Sequence, residues 1–325
     1  MTPIAILGAG IAGLCVATEL AARGAQVTLH DPAGPPGAHH CSWWAGGMLA
    51  PWCEYENAEE PVLIHGQEAL DWWGVRTTVT RRGTLVVAAP RDRRDLDRFA
   101  RRTHGHRPVT ADEIATLEPD LGARFPAGLF FEGEAHLDPR RALQDLADAL
   151  AAQGIPIRPG PAPAEARVVN CTGLAARTTL PGLRGVKGEM LVLRAPDIRL
   201  TRPIRLLHPR IPLYIVPRGD GVYMLGATMV EAEDRGRISA RAMLELLSAA
   251  YALNPAFAEA EILEIGTDLR PAFPDNLPRV TRQGDVTHVN GLYRHGYLMA
   301  PALARETADA LLGPAPTETP HAAHH

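Results

Sequence analysis

The chain has 325 residues, 46% of them apolar, and a formal net charge of −4 with histidine neutral. That length buries a sizeable core and suits two domains, and the apolar share is that of a globular protein and not of a disordered one. Basic residues are scattered along an acidic chain with no apolar run of membrane-span length, which argues against nucleic acid or membrane as the main partner.

Ile4-Ala5-Ile6-Leu7 reads as a short strand, Gly8-Ala9-Gly10-Ile11-Ala12-Gly13 as a tight turn, Leu14 to Arg23 as a helix stopped by Gly24, and Gln26 to His30 as a second strand ending on Asp31. This order is the dinucleotide fingerprint. Gly8 permits the turn, Gly10 lets a pyrophosphate approach the backbone, and Gly13 lets helix and strand pack closely. Ile11 and Ala12 open the helix, whose free N–H groups and positive dipole end face the phosphates. Asp31 is expected to accept hydrogen bonds from the adenosine ribose.

After a Pro/Gly loop, Ser42-Trp43-Trp44-Ala45-Gly46-Gly47-Met48 joins aromatic and small residues, a combination suited to close approach of the backbone to a flat ligand. Glu60 to Trp73 reads as one helix, and Thr77 to Thr80 and Gly83 to Ala89 as strands. Arg91 to Arg102 is a charged, solvated helix. Thr110 and Glu113 form a capping-box pattern. A strand follows at Gly128 to Glu132. Asp138 and Pro139 start a helix that Gly154 ends. Arg167 to Asn170 is a strand running into the small-residue turn Cys171-Thr172-Gly173.

From Lys187 the pattern is strongly β: Glu189 to Leu193, Ile204 to Leu207, Leu213 to Pro217 and Val222 to Ala227, the last two joined by a hairpin at Gly219-Asp220-Gly221. Ser239 to Tyr251 is a helix, Ile262 to Leu269 and Val286 to Asn290 are strands, and Pro301 to Leu312 is a helix with proline at its start. The tail from Pro314 is expected to be disordered. Cys15, Cys41, Cys53 and Cys171 lack CxxC spacing, and His39, His40, Cys41, Cys53 and His65 match no ligand spacing, so no metal is expected. The start of the chain lacks a leader pattern, and a cytoplasmic location is the expectation.

These residues carry a resemblance over nearly the whole chain. Beyond the fingerprint, Ser42 to Pro51, Val186-Lys187-Gly188-Glu189, Leu213-Tyr214-Ile215-Val216-Pro217-Arg218, Gly226-Ala227-Thr228-Met229, Leu269-Arg270-Pro271 and Tyr293-Arg294-His295-Gly296-Tyr297-Leu298-Met299-Ala300-Pro301 resemble, in this order, the D-amino acid oxidase family of FAD-dependent amine oxidoreductases. Within it the chain is most similar to the glycine oxidases of thiamine biosynthesis. The fold so implied is a Rossmann-like α/β domain for FAD of the D-amino acid oxidase type, built from 1–76, 138–185 and 266–313. An α+β substrate domain with an antiparallel sheet, 77–137 and 186–265, is inserted between those pieces.

The resemblance implies non-covalent FAD, with a small amine substrate, dioxygen and thiazole-synthesis enzymes as partners. It leaves the oligomeric state open, a homo-oligomer included. It assigns the substrate carboxylate to Arg270, whose guanidinium can grip it with two charge-assisted hydrogen bonds, with a further hydrogen bond from Tyr214. Arg294 would lie beside the flavin and face the substrate. Ser42, Ala45, Gly46, Gly47 and Met48 would meet one side of the cofactor, Thr172 and Gly173 lie against it, and Gly296, Tyr297, Leu298 and Met299 meet the N1–C2=O edge. The implied reaction passes hydride from Cα of glycine or a similar amine to flavin N5, giving an imine and, from dioxygen, hydrogen peroxide, with no catalytic acid or base required. The alternatives are a dehydrogenase or oxidase of another amine, such as sarcosine, a D-amino acid or proline, and a flavin-binding protein without turnover.

Overall fold

The computed structural model describes residues 2–208, 213–232 and 234–314. Most of the tail from Pro314 lies outside them. Among the described residues no helix is long and apolar enough to cross a membrane.

The fingerprint folds as strand Ile4–Leu7, helix Ile11–Ala22 and strand Val27–His30. The strands are parallel neighbours in a six-stranded sheet ordered 279–283, 286–290, 167–170, 4–7, 27–30, 157–158, in which only the first pair is antiparallel. Buried strands of Ile, Val and Leu suit a sheet covered on both faces. Its helices Ile11–Ala22, Pro139–Ala152 and Gly296–Leu312 share one core through Leu14, Leu20, Leu143, Leu146, Tyr297 and Leu303. Asp138 caps its helix through the N–H groups of Arg140 and Arg141, and the capping box of Thr110 and Glu113 is present.

The β-rich stretches form a nine-stranded sheet around a second core, with helix Ala240–Leu253 packed on it. Asp220 and Gly221 both have positive φ, 50° and 70°, as a two-residue hairpin between strands Leu213–Gly219 and Val222–Gly226 requires. The sheet is antiparallel except at Thr84–Ala88 and Ile204–Leu207, which pair in parallel because a long excursion separates them in the chain. A small third sheet of Met48–Leu49, Ala135–Leu137 and Val79–Thr80 joins the two units.

Three expected boundaries move. Glu60 to Trp73 is two helices, Glu60–Gly66 and Ala69–Gly74, because Gly66 sits against Leu298 where no side chain fits (a Cβ there would lie 2.7 Å from its Cγ). Glu261–Ala272 is one strand paired with Arg184–Arg194 throughout, so the substrate sheet extends past 265 to Ala272. The last helix begins at Gly296, with Pro301 inside it. Proline lacks the N–H that would bond the Tyr297 carbonyl four residues back. The Trp73 indole N–H takes that carbonyl instead, at 2.8 Å, which lets the helix run through the proline.

Candidate active site

The turn geometry accounts for each fingerprint glycine. Gly8 has φ +97°, and a Cβ on it would lie 2.6 Å from the Cys171 carbonyl oxygen. A Cβ on Gly13 would lie 1.8 Å from the Gly8 oxygen, so these two positions hold the strand, turn and helix together. Gly10 differs: a Cβ there would meet only the His40 ring at 3.5 Å and Ser42 Oγ at 3.6 Å. Its outer side opens into a cavity of about 520 Å³ lined also by Ile11, Ala12 and Ser42. Ser42 Oγ is buried there with no protein partner. An open glycine face, an orphan hydroxyl and the first N–H groups of a helix fit a pyrophosphate.

Asp31 ends the second strand as expected, but its oxygens serve its own chain. Oδ2 accepts from Ala9 N at 2.8 Å and from the His40 ring at 2.9 Å, and Oδ1 accepts from Ala33 N at 2.9 Å. Burial pushes this carboxyl up, yet the His40 and backbone hydrogen bonds prevail and bring it down to about 2. Asp31 thus pins the glycine turn, and the ribose role expected of it would require His40 to yield. The metal-like grouping that the fold brings together is Asp31, His39 and His40, not the Cys41, Cys53 and His65 set.

Elsewhere on the cavity wall, Ala45 and Gly46 are fastened by Arg218, which donates to the carbonyls of Ala45 at 3.1 Å, Gly46 at 2.9 Å and Leu137 at 3.2 Å. Gly47 has φ +74° and abuts the Leu137 carbonyl, while Met48 pairs with His136. Thr172 is held by Asn170 through its N–H and hydroxyl, and Asn290 donates to the Gly173 carbonyl. Gly296, Tyr297 and Leu298 line the cavity at the positive end of the last helix. Met299 lies behind that wall, 2% exposed, its N–H bonded to the His295 carbonyl. With Gly13 it is the expected cofactor residue that the cavity does not reach.

The expected substrate residues converge on the same cavity, and one unexpected residue organises them. Arg270, on strand Glu261–Ala272, is partly buried, and among the described residues its side-chain hydrogen bond runs from Nη1 to the Thr228 carbonyl at 3.1 Å. Burial lowers the pKa of its guanidinium. Arg294 is instead paired with Glu54, Nη2 to Oε2 at 2.7 Å and Nε at 2.9 Å. Tyr214 directs its only hydroxyl proton at Glu54 Oε1, 2.7 Å away, so it presents lone pairs and not a donor to the cavity. The hydrogen bond expected from Tyr214 to a substrate carboxylate would need this proton to leave Glu54. Burial raises the Glu54 carboxyl, but Arg294 and its neighbours outweigh that and hold it at about 2. His295, 3.6 Å from the same oxygen, is driven down by burial to about 4 and is neutral at physiological pH.

Nothing local in Pro51-Trp52-Cys53-Glu54 marks that acid, because its partners are 160 and 240 residues away. Arg218 and Gly188 lie within the motifs that carry the resemblance, but nothing in those motifs reveals their contacts. A Cβ on Gly188 would lie 2.3 Å from Arg270 Nη2, so this glycine is the floor under the guanidinium. Gly188→Ala is expected to fold and retain cofactor, since only the mobile end of Arg270 must move. The KM for a carboxylate substrate should rise about tenfold as the fork is tilted. Steady-state kinetics beside a flavin-content measurement would check this, and an unchanged KM would contradict it.

Next to this segment, Glu134 accepts from Cys53 N at 2.7 Å, and burial lifts its carboxyl to about 8. Between the ordinary 4.5 and about 8 the folded protein keeps a proton that the unfolded chain has lost. Stability therefore falls as pH rises through that window. Glu134→Gln should raise the melting temperature by several degrees above about pH 8 and leave it unchanged below pH 4.5, as read by scanning calorimetry.

Comparison with known proteins bears on this geometry. Residues 3–310 match the family described as FAD dependent oxidoreductase. A Rhizobium etli protein that carries the name thiamine biosynthesis oxidoreductase ThiO is 55% identical over 95% of this chain and 96% of its own. A bifunctional ThiO/ThiG protein of Trichormus variabilis is 28% identical over 95% of this chain and 52% of its own. The crystal structure of glycine oxidase from Geobacillus kaustophilus superposes with a TM-score of 0.80 at 23% identity, covering 97% of this chain and 96% of the other, a likeness of fold.

Proposed function

Because the chain belongs to the family of FAD dependent oxidoreductases, we propose that it oxidises glycine or a similar small amine to the imine, with dioxygen reduced to hydrogen peroxide. The observation that carries this reading is Arg270, a partly buried guanidinium on the cavity wall whose hydrogen-bond partner among the described residues is a carbonyl. No carboxylate of the described residues pairs directly with this cation, and a substrate carboxylate would do so with two parallel hydrogen bonds. The Tyr214 oxygen, its proton held by Glu54, accepts from the amine N–H. These two contacts fix both ends of the N–Cα–carboxylate unit and leave the Cα–H free to face the open part of the cavity. Neutral His295 adds no charge that would compete for the carboxylate.

Gly10, Ser42 and the start of the Ile11–Ala22 helix would hold the pyrophosphate of non-covalent FAD. Ala45 to Met48, Thr172, Gly173 and the Gly296–Leu298 turn would hold its flavin end. The chemistry that FAD supplies when bound is acceptance of a hydride and delivery of the electron pair to dioxygen. The first N–H groups of the last helix stabilise negative charge gathered at that edge. The ThiO/ThiG fusion supports delivery of the imine to a thiazole-synthesis enzyme. All four cysteines are free, which supports a reducing, cytoplasmic setting.

The test is direct. The purified protein should be yellow, with absorbance at about 450 nm, and should release peroxide with glycine faster than with sarcosine or D-alanine. Dye reduction without peroxide would make it a dehydrogenase, and a flavin that no amine bleaches would overturn the reading.

A further inference from the structure

The charged groups on the cavity wall near Tyr214 can be counted. Glu54 is paired with Arg294. Arg205 is paired with Glu56, Nη2 to Oε2 at 3.2 Å, and donates to the Cys53 carbonyl. Arg235 is paired with Asp268, Nε to Oδ1 at 3.1 Å. His295 is neutral. Among the described residues this leaves Arg270 as the one cation at this end without an acidic partner. Arg294 would be a second if Glu54 did not hold two of its nitrogens.

We propose that Glu54 is a specificity-determining residue that restricts the site to amines bearing a single acidic group, because it neutralises Arg294 and occupies the guanidinium nitrogens that a second carboxylate would need. This rests on the reading of Arg270 as the carboxylate anchor. A substrate with one carboxylate completes Arg270 and leaves the site neutral. A dianion brings its second carboxylate beside buried Glu54, where like charges repel in a poorly screened interior, and finds Nε and Nη2 of Arg294 already facing Glu54, with Nη1 turned to Met229 Sδ at 3.6 Å. The arrangement is steric as well as electrostatic. Glu54 is anchored from both sides, with one oxygen on Tyr214 and the other on Arg294, so it cannot swing aside without stranding two buried polar groups.

The probes are acetate and malonate, which carry one and two carboxylates and cannot be oxidised, titrated calorimetrically into FAD-loaded protein. The native protein should bind malonate no more tightly than acetate. In Glu54→Gln the malonate-to-acetate affinity ratio should rise at least about tenfold, since Arg294 becomes a free bidentate donor. That gain should vanish in the double variant with Arg294→Gln. A ratio within about twofold of native in Glu54→Gln, or a gain that survives in the double variant, overturns the proposal. If Glu54→Gln does not accumulate as a flavoprotein, Arg294→Gln alone serves. The unpaired Glu54 should then weaken malonate about tenfold more than acetate, and equal losses overturn the proposal. Absence of acetate binding to the native protein would instead remove Arg270 as the anchor, so the two failures are distinguishable.

Discussion

Arg270→Met is expected to lower kcat/KM for glycine by about 10²- to 10³-fold, most of it through KM. The argument starts from the free protein. The Arg270 guanidinium lies over Gly188 on the cavity wall, partly withdrawn from water, with the Thr228 carbonyl as its hydrogen-bond partner. Folding places it there at a desolvation cost, and among the described residues no carboxylate pairs with it directly. Binding a carboxylate recovers that cost, so the affinity of the site resides largely in this one pair. Methionine fills similar space without charge. It removes the anchor and also the desolvation cost, so the variant should melt several degrees higher than the native protein without substrate. Arg270→Lys keeps the charge but loses the fork, and should fall between the two in KM. Steady-state kinetics and thermal unfolding on the same preparations test both halves. A variant with native KM, or one that is less stable as well as less active, would show that Arg270 is a structural residue.

Gly13→Ala should prevent accumulation of folded protein, whereas Gly10→Ala should yield folded protein that does not hold FAD. The methyl at 13 would meet the Gly8 oxygen at 1.8 Å, inside a core of strand, turn and helix that has no room to move apart. Overpacking of buried backbone on this scale costs on the order of 4 kcal/mol or more, a large fraction of a domain's stability. The methyl at 10 meets nothing nearer than 3.5 Å and points into the cavity, where the pyrophosphate must come closest. Soluble yield, circular dichroism and flavin absorbance separate the outcomes. A yellow Gly10→Ala protein would show that the phosphates lie elsewhere.

Sequence carries local geometry well and distant pairing poorly. The opening turn was legible because strand, glycines and helix follow one another directly in the chain, and Gly13 abuts Gly8 five residues back. The capping residues Thr110 and Asp138 were legible for the same reason. Arg270 and Arg294 came from motif resemblance, and the cavity brings both together. What they do there depends on Glu54, which no spacing reveals. Tyr214 was expected to donate a hydrogen bond to the substrate, and in the free protein a carboxylate on a different segment takes that hydrogen. Pro301 was read as a helix start because proline normally breaks the interior. Trp73, over 220 residues away, removes that penalty by bonding the stranded carbonyl. The strand expected at Ile262 to Leu269 runs longer, over Glu261–Ala272, because its pairing on Arg184–Arg194 continues, and hydrophobicity does not report where a ladder ends.

The strand order of the parallel sheet has a consequence for biosynthesis. Its central strand, Ile4–Leu7, is made first, but the neighbour on one side is Arg167–Asn170, and that strand in turn awaits Val286–Asn290. The helix whose start lines the cavity follows later still, at Gly296–Leu312. Domains usually fold in turn as the chain emerges from the ribosome. Here the nucleotide-binding half cannot close until almost all of the chain has emerged, and the inserted β-rich unit is made in the meantime. A nascent chain stalled before Asn290 would lack the sheet edge, and one stalled before Leu312 would lack the helix dipole at the cavity. Retention of FAD is thus a built-in report of completed synthesis, and chains released early should remain colourless and exposed to proteases.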